Sequence, residues 1–164
     1  MWLFKKFFAI AVLLFAVGCA DITVSPLATT QNGALSQINV VEVTGRDGQL
    51  YSRELERKLY VNGQQNPKFD LISRISVNSS STLSVKGKSS TLKKMTMSVS
   101  LQLLDRLSGE VVLDENIVAG ATLGAVTSYF GQDEAERHGR ERLAKLLAGR
   151  AARRVLLFFA TEGS

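Results

Sequence analysis

The chain is sparing with the residue types that do covalent or acid–base chemistry. Its 164 residues include one cysteine, Cys19, and one histidine, His138. His138 has no cysteine and no second histidine with which to complete a zinc set, and no serine stands in a nucleophile-elbow context. Gly120 and Gly124 are followed by no lysine and open no helix, so they do not form a phosphate loop. Asp114 and Glu115 are adjacent in a strand-like stretch, which sends their carboxylates to opposite faces. No catalytic residue, no metal site and no cofactor is expected, and an enzyme is a poor fit. What the chain does concentrate is positive charge. Lys86, Lys88, Lys93 and Lys94 flank Gly87 within one polar connection. Ammonium groups on a short loop can converge on the phosphates of a polyanion. The same lysines also suit a solvated hairpin whose charge keeps a sheet edge from pairing. Arg150, Arg153 and Arg154 form a second group, which a helix dipole and snorkelling along a helix account for.

Cys19 takes its meaning from what precedes it. Lys5 and Lys6 open the chain, eleven apolar residues run from Phe7 to Val17, and small residues lead to the cysteine. That order of charged, apolar and small-residue regions is the layout of a secretory leader. Eleven residues at about 1.5 Å each cover roughly half of a ~30 Å hydrocarbon core, too little for a spanning helix. A lone thiol in an oxidising compartment needs a reason, and a covalent lipid supplies one. The tetrapeptide Ala16-Val17-Gly18-Cys19 resembles the lipobox of bacterial lipoproteins, with Ala16 where leucine is usual. The resemblance implies an acylated Cys19 as the first mature residue, and two or more chains anchor stably at about 0.8 kcal/mol per buried methylene. Ala20 follows the cysteine where inner-membrane retention commonly uses Asp, so the outer membrane, periplasmic side, is the expected location. Loss of residues 1–18 leaves 146 residues and lowers the formal charge from +5 to +3. That is one domain with a real core, mildly basic. The export leader argues against nucleic acid as a partner.

The elements that must position these residues follow from periodicity. Residues 19–36 read as the lipidated N-terminus and tether, and 37–164 as a single domain. Ile38 to Val43 is a β-branched run, a strand. Tyr51, Leu55 and Leu59 line one face of a helix over 49–60, closed by Asn62-Gly63. Alternation predicts strands over 69–77 and 95–103, with Met95, Met97, Val99, Leu101 and Leu103 on one buried face. The stretch 79–94 between them reads as a polar connection. Residues 110–127 suggest a strand bent at Gly120 and Gly124. A long helix over 133–159 is predicted, with Asp133 and Glu136 as a capping box. Its stripe is Leu143, Leu147, Ala151, Val155 and Phe159, broadened by Leu146 and Phe158. The expected class is α+β, a two-layer α/β sandwich with a mixed sheet of about four strands and two helices on one face.

The segment TSYFGQDEAERHGRERLAKLLAGRAARRVLLFFA resembles the closing strand and C-terminal helix of the LptE family of LPS-assembly lipoproteins, through Ser128-Tyr129 and the Ala- and Arg-rich helix of 135–160. Pro26-Leu27 is similar to a dipeptide found early in that family. The resemblance implies an outer-membrane lipoprotein that assists assembly of a β-barrel LPS translocon (an LptD-like partner), plugs it, and binds LPS. No family contact residue maps onto this chain. Lys86, Lys88, Lys93 and Lys94 are LPS-binding candidates on charge and location alone. The alternative is an auxiliary lipoprotein carrying phospholipid for an inner-membrane transporter, which would require an apolar cleft. A periplasmic hydrolase comes third.

Overall fold

The computed structural model describes residues 33–60, 63, 66–84, 91–124 and 128–162. The leader, Cys19 and the tether up to residue 32 lie outside the described residues. Six elements follow a helical turn at 33–35: β1 (Ile38–Val40), α1 (Arg46–Leu59), β2 (Phe69–Ser84), β3 (Thr91–Asp105), β4 (Val111–Leu123) and α2 (Tyr129–Glu162). The sheet order is β1-β2-β3-β4, with β1 parallel to β2 and the rest an antiparallel meander. Both helices contribute side chains to one core against one face of this mixed sheet, as the one-sided alternation of β3 requires.

β3 is the centre of that core. Met95, Met97, Val99, Leu101 and Leu103 are all fully buried. Flanking them, Ile38, Val40 and Leu71 come from one side, and Ile117, Ala119 and Leu123 from the other. α1 contributes Tyr51, Leu55 and Leu59, at the four-residue spacing that keeps one helical face inward. α2 contributes Leu143, Leu147, Ala151 and Val155. Its stripe broadens through Ala144, Ala148 and Ala152, whereas Leu146 is exposed. The small residues let the helix backbone approach its neighbours, and a leucine there would not fit. Gly139 belongs to the same close approach: a Cβ on it would stand 3.0 Å from a Leu123 methyl. At the far end Phe69 meets Phe159 edge-to-face at 5.3 Å.

Three local expectations are corrected. The stretch 79–94 is not all connection, because β2 and β3 stay paired from Ser79–Met95 to Ser84–Thr91 through a register shift at Ser81/Leu83. Serine and threonine lack an apolar face to show periodicity, yet the backbone ladder runs on through them. The second irregularity lies at Leu103/Leu104, opposite the start of β4, and not at Gly120 or Gly124. The cap of α2 is Ser128, whose hydroxyl accepts the Gly131 N–H at 3.1 Å. Asp133 therefore sits inside the helix, and Asp133 with Glu136 forms no capping box.

The two sheet edges are treated differently. β1 is three residues long, and its Val40 N–H donates to the Tyr60 hydroxyl at 2.9 Å. Behind it, Ser52 accepts the Val43 N–H at 3.2 Å. Gly48 allows this closeness, since a Cβ there would lie 2.6 Å from the Val43 carbonyl oxygen. The β4 edge is 13 residues long, and Arg150 donates to the Val118 carbonyl at 2.6 Å. Arg150, Arg153 and Arg154 stand well before the end of α2 at Glu162, so compensation of the helix C-terminus does not explain them.

Candidate functional site

The lysine segment is the head of the β2–β3 hairpin. Lys86 and Lys88 lie outside the described residues. Lys93 and Lys94 are neighbours on a strand and so point to opposite faces. Lys93 turns inward and pairs with Glu136 of α2, both side chains largely covered. Lys94 is exposed on the open face of the sheet, opposite Ser80 and Thr122. The two described lysines therefore do not converge on one point. Lys93 ties the hairpin to α2, and Lys94 faces outward.

A feature that sequence reasoning missed stands at the same end. Tyr129 and Phe130 are 95% and 82% exposed. Tyr129 precedes Glu136 by seven residues, about 10 Å of helix axis. Glu136 meets Lys93, and β3 begins only two residues before Lys93. The first turn of α2 therefore lies toward the hairpin end, and both of its rings are exposed there. Placing the cap at Ser128 in the sequence would have put both rings in that first turn. Just inside, Glu134 binds Arg137 and lies 3.1 Å from His138 Nε2. The Arg137 guanidinium holds the Glu134 carboxyl below its ordinary value. His138 is exposed on the helix flank, as its position opposite the apolar stripe predicts.

The open sheet face carries Ser76, Asn78, Thr96, Ser98, Ser100, Gln102 and Asn116, the alternates of the buried row. Gln102 donates to Asp114 at 3.0 Å across β3 and β4. Glu115, its neighbour, lies 3.9 Å from Arg154 under the helix, so this carboxylate pair is split between the two faces. At the opposite end Asp70 gathers the elements: it accepts Asn39 of β1 at 2.7 Å and Arg106 at 2.6 Å. Arg106 holds the Asp70 carboxyl below the usual carboxylate range.

Grooves run along the domain between described residues. One of about 460 Å³ lies between the N-terminal turns of α1 and α2 and is lined by Arg46, Asp47, Glu136 and Arg140 among others. A second, about 440 Å³, follows Val43, Gly45, Arg74 and Ile75 beside β2. A third, about 480 Å³, lies between the β4 edge and α2. Among the described residues no three His, Cys, Asp or Glu side chains gather to hold a metal. No described helix is long and apolar enough to cross a membrane.

No family model matches the chain, and no curated protein matches it. Solved structures do. A protein of Caulobacter crescentus assigned as a lipoprotein superposes with a TM-score of 0.64 at 20% identity, covering 80% of this chain and 97% of its own. A minor lipoprotein of Acinetobacter baumannii superposes with a TM-score of 0.58 at 15% identity, covering 73% of this chain and 88% of its own. At such identities the likeness is one of fold: the α+β sandwich described here is an architecture found in chains that bear the name lipoprotein.

Proposed function

We propose that the chain is an outer-membrane lipoprotein of the LptE kind. It is anchored through acylated Cys19, seats inside a β-barrel LPS translocon, and meets LPS with its lysine end. The observation that carries this reading is the one-sided build of the domain. Both helices pack on one sheet face, and the other carries mainly hydroxyl and amide side chains, with Ile72, Arg74, Leu104 and Val118 among them. The lumen of a transmembrane barrel is polar, so a body that fills it must present such a surface in place of a greasy one. The lipoprotein names of its structural neighbours support the role assigned to Cys19. The same end carries the exposed rings of Tyr129 and Phe130 on the helix side and Lys94 on the open face, and aromatic and ammonium groups at one end suit an amphipathic phosphorylated glycolipid. The phospholipid-carrier alternative needs an apolar cleft, and the grooves of about 460 and 480 Å³ instead hold clusters of charged side chains in their walls. This reading includes no enzymatic step and no cofactor.

Mild detergent extraction of the tagged, lipidated protein followed by affinity capture tests the reading. One large barrel protein in equal amount is the expected result. Capture of an inner-membrane transporter complex, or of the lipoprotein alone, would overturn it.

A further inference from the structure

We infer that the outer edge of β4 accepts an added β-strand, an extended segment of a protein partner in which acidic side chains alternate with β-branched ones. This surface lies along a side of the domain and is independent of the lysine end. β4 is an edge strand of 13 residues, VVLDENIVAGATL, with no proline, lysine or arginine within it. Proline and lysine are among the commonest means of blunting an edge against strand addition, and the charges β4 does carry, Asp114 and Glu115, lie together near its start. Val111, Val112 and Val118 are exposed along it.

The backbone of this edge is ready for pairing. The Val118 carbonyl faces away from β3, because Arg150 reaches it at 2.6 Å. In an antiparallel ladder the outward groups recur at every second residue, so Asn116 and Gly120 turn their N–H and C=O groups to the same side. The Arg150 guanidinium occupies the place where an N–H of the next strand would donate. Arg150 makes this bond at the exposed surface and can leave that place, whereas the Tyr60 ring that closes the short β1 edge is packed against the core.

The groove beside the edge states what the added strand must carry. It is lined by Asn116, Ile117, Val118, Leu157 and the three arginines 150, 153 and 154. A strand laid about 4.8 Å outside β4 would alternate its side chains between two settings. One set lies toward α2, against Arg153, Arg154 and Leu157. The other lies on the open face, beside Val118. Glu115 is the one acidic group in contact with these arginines among the described residues, at 3.9 Å from Arg154. Three guanidiniums against one carboxylate leave a positive surplus, which acidic side chains on the inner set would meet. When an incoming N–H takes the Val118 carbonyl, Arg150 is released to a carboxylate of the same segment. A phosphate-bearing lipid would satisfy the arginines and leave the backbone edge unused, so the geometry points to a peptide.

The test uses the full-length protein in mild detergent, ¹⁵N-labelled, and a blocked synthetic peptide of eight residues alternating glutamate and valine. Binding should slow amide exchange at Asn116, Val118 and Gly120 by about tenfold or more, as expected when edge amides enter a ladder. The double variant Arg153→Gln, Arg154→Gln should weaken binding by about fivefold, the scale of exposed ion pairs. Methylating alternate amides of the peptide should abolish it. Val118→Pro, which removes an N–H facing away from β3, should keep the fold and also abolish binding. If Val118→Pro fails to fold, the methylated peptide carries the test alone. Equal binding of the methylated peptide, or no protection at the three amides, would overturn the inference. So would arginine-dependent binding of phosphatidylglycerol vesicles without peptide binding, which would make the groove an anionic-lipid site.

Discussion

Leu146 and Leu147 are adjacent leucines on α2 that the structure treats in opposite ways. Leu147 is fully buried between helix and sheet, and Leu146 is 42% exposed. Truncating a fully buried leucine to alanine costs about 2.7–5 kcal/mol, according to how far the site can collapse. Collapse is limited here. Ala144, Ala148, Ala151 and Ala152 already bring the helix close to its neighbours, so the backbone cannot follow the lost side chain inward. Leu147→Ala is therefore placed at about 3–4 kcal/mol, a large part of a typical stability of roughly 5–15. For a domain of this size that corresponds to a fall in Tm of roughly 10–15 °C. Leu146→Ala removes a side chain that keeps much of its contact with solvent and leaves a good helix former, so its effect should stay within about 1 kcal/mol. Thermal melts followed by circular dichroism, on both variants in one detergent buffer, give the comparison. Equal losses would mean that α2 is rotated from the orientation described. Leu147→Asp goes further, since a buried unpaired charge costs several kcal/mol more, and should abolish accumulation of the protein.

Tyr51 offers a pH test. Burial pushes its phenol from 10.0 up to about 12, partly offset by the hydrogen bond with Ser73. The folded state thus keeps a proton that the unfolded chain releases near pH ~10. Stability should be full below that pH and fall by about 2–3 kcal/mol as pH rises towards 12. Tyr51→Phe should flatten this alkaline limb in denaturant titrations, and an unchanged slope would count against the burial. Cys19→Ala should abolish incorporation of a fatty-acid probe and release the protein from membranes, and persistent labelling would contradict the anchor. Replacing Lys86, Lys88, Lys93 and Lys94 by Gln should weaken LPS binding and much of its salt dependence, because exposed charge is screened over roughly 8–10 Å. Lys93→Gln alone should leave binding nearly intact, since its partner is Glu136. A single Lys93 effect as large as the quadruple one would refute that division.

The legible parts of this fold are those where apolar side chains mark a period. The buried face of β3 is legible, because every second position from Met95 to Leu103 is large and apolar, although the strand itself runs from Thr91 to Asp105. Tyr51, Leu55 and Leu59 declare the inner face of α1 equally well. The hairpin above Ser79 was not legible: a ladder made by backbone groups leaves no trace in a run of serines and threonines. The width of the α2 stripe was misread for a related reason. Leu146 looks like core and Ala144 does not, but close approach of the helix favours the smaller residue. Asp133 satisfied the capping pattern, yet Ser128 holds the cap, because the pattern does not say which of two polar residues the chain reaches first. At the lysine end, four charges in sequence order suggested convergence. The pleat sends Lys93 to a carboxylate and Lys94 to the open face, while the exposed rings of Tyr129 and Phe130 follow from the cap at Ser128, which puts them in the first turn of α2. The arginines of α2 were assigned to the helix itself, and the edge carbonyl that receives Arg150 comes from a residue 32 positions away.

The unequal lengths of β1 and the meander also order events in time. β2, β3 and β4 pair with their chain neighbours, so closing those ladders traps little chain and can begin as soon as the hairpins are synthesised. β1 must wait for β2: Ile38 pairs with Phe69, and all of α1 lies between them. With three residues, β1 offers few rungs to offset that loop. β1 is therefore the last strand to find its place, and until it docks, Phe69 to Leu71 of β2 have no neighbour on that side.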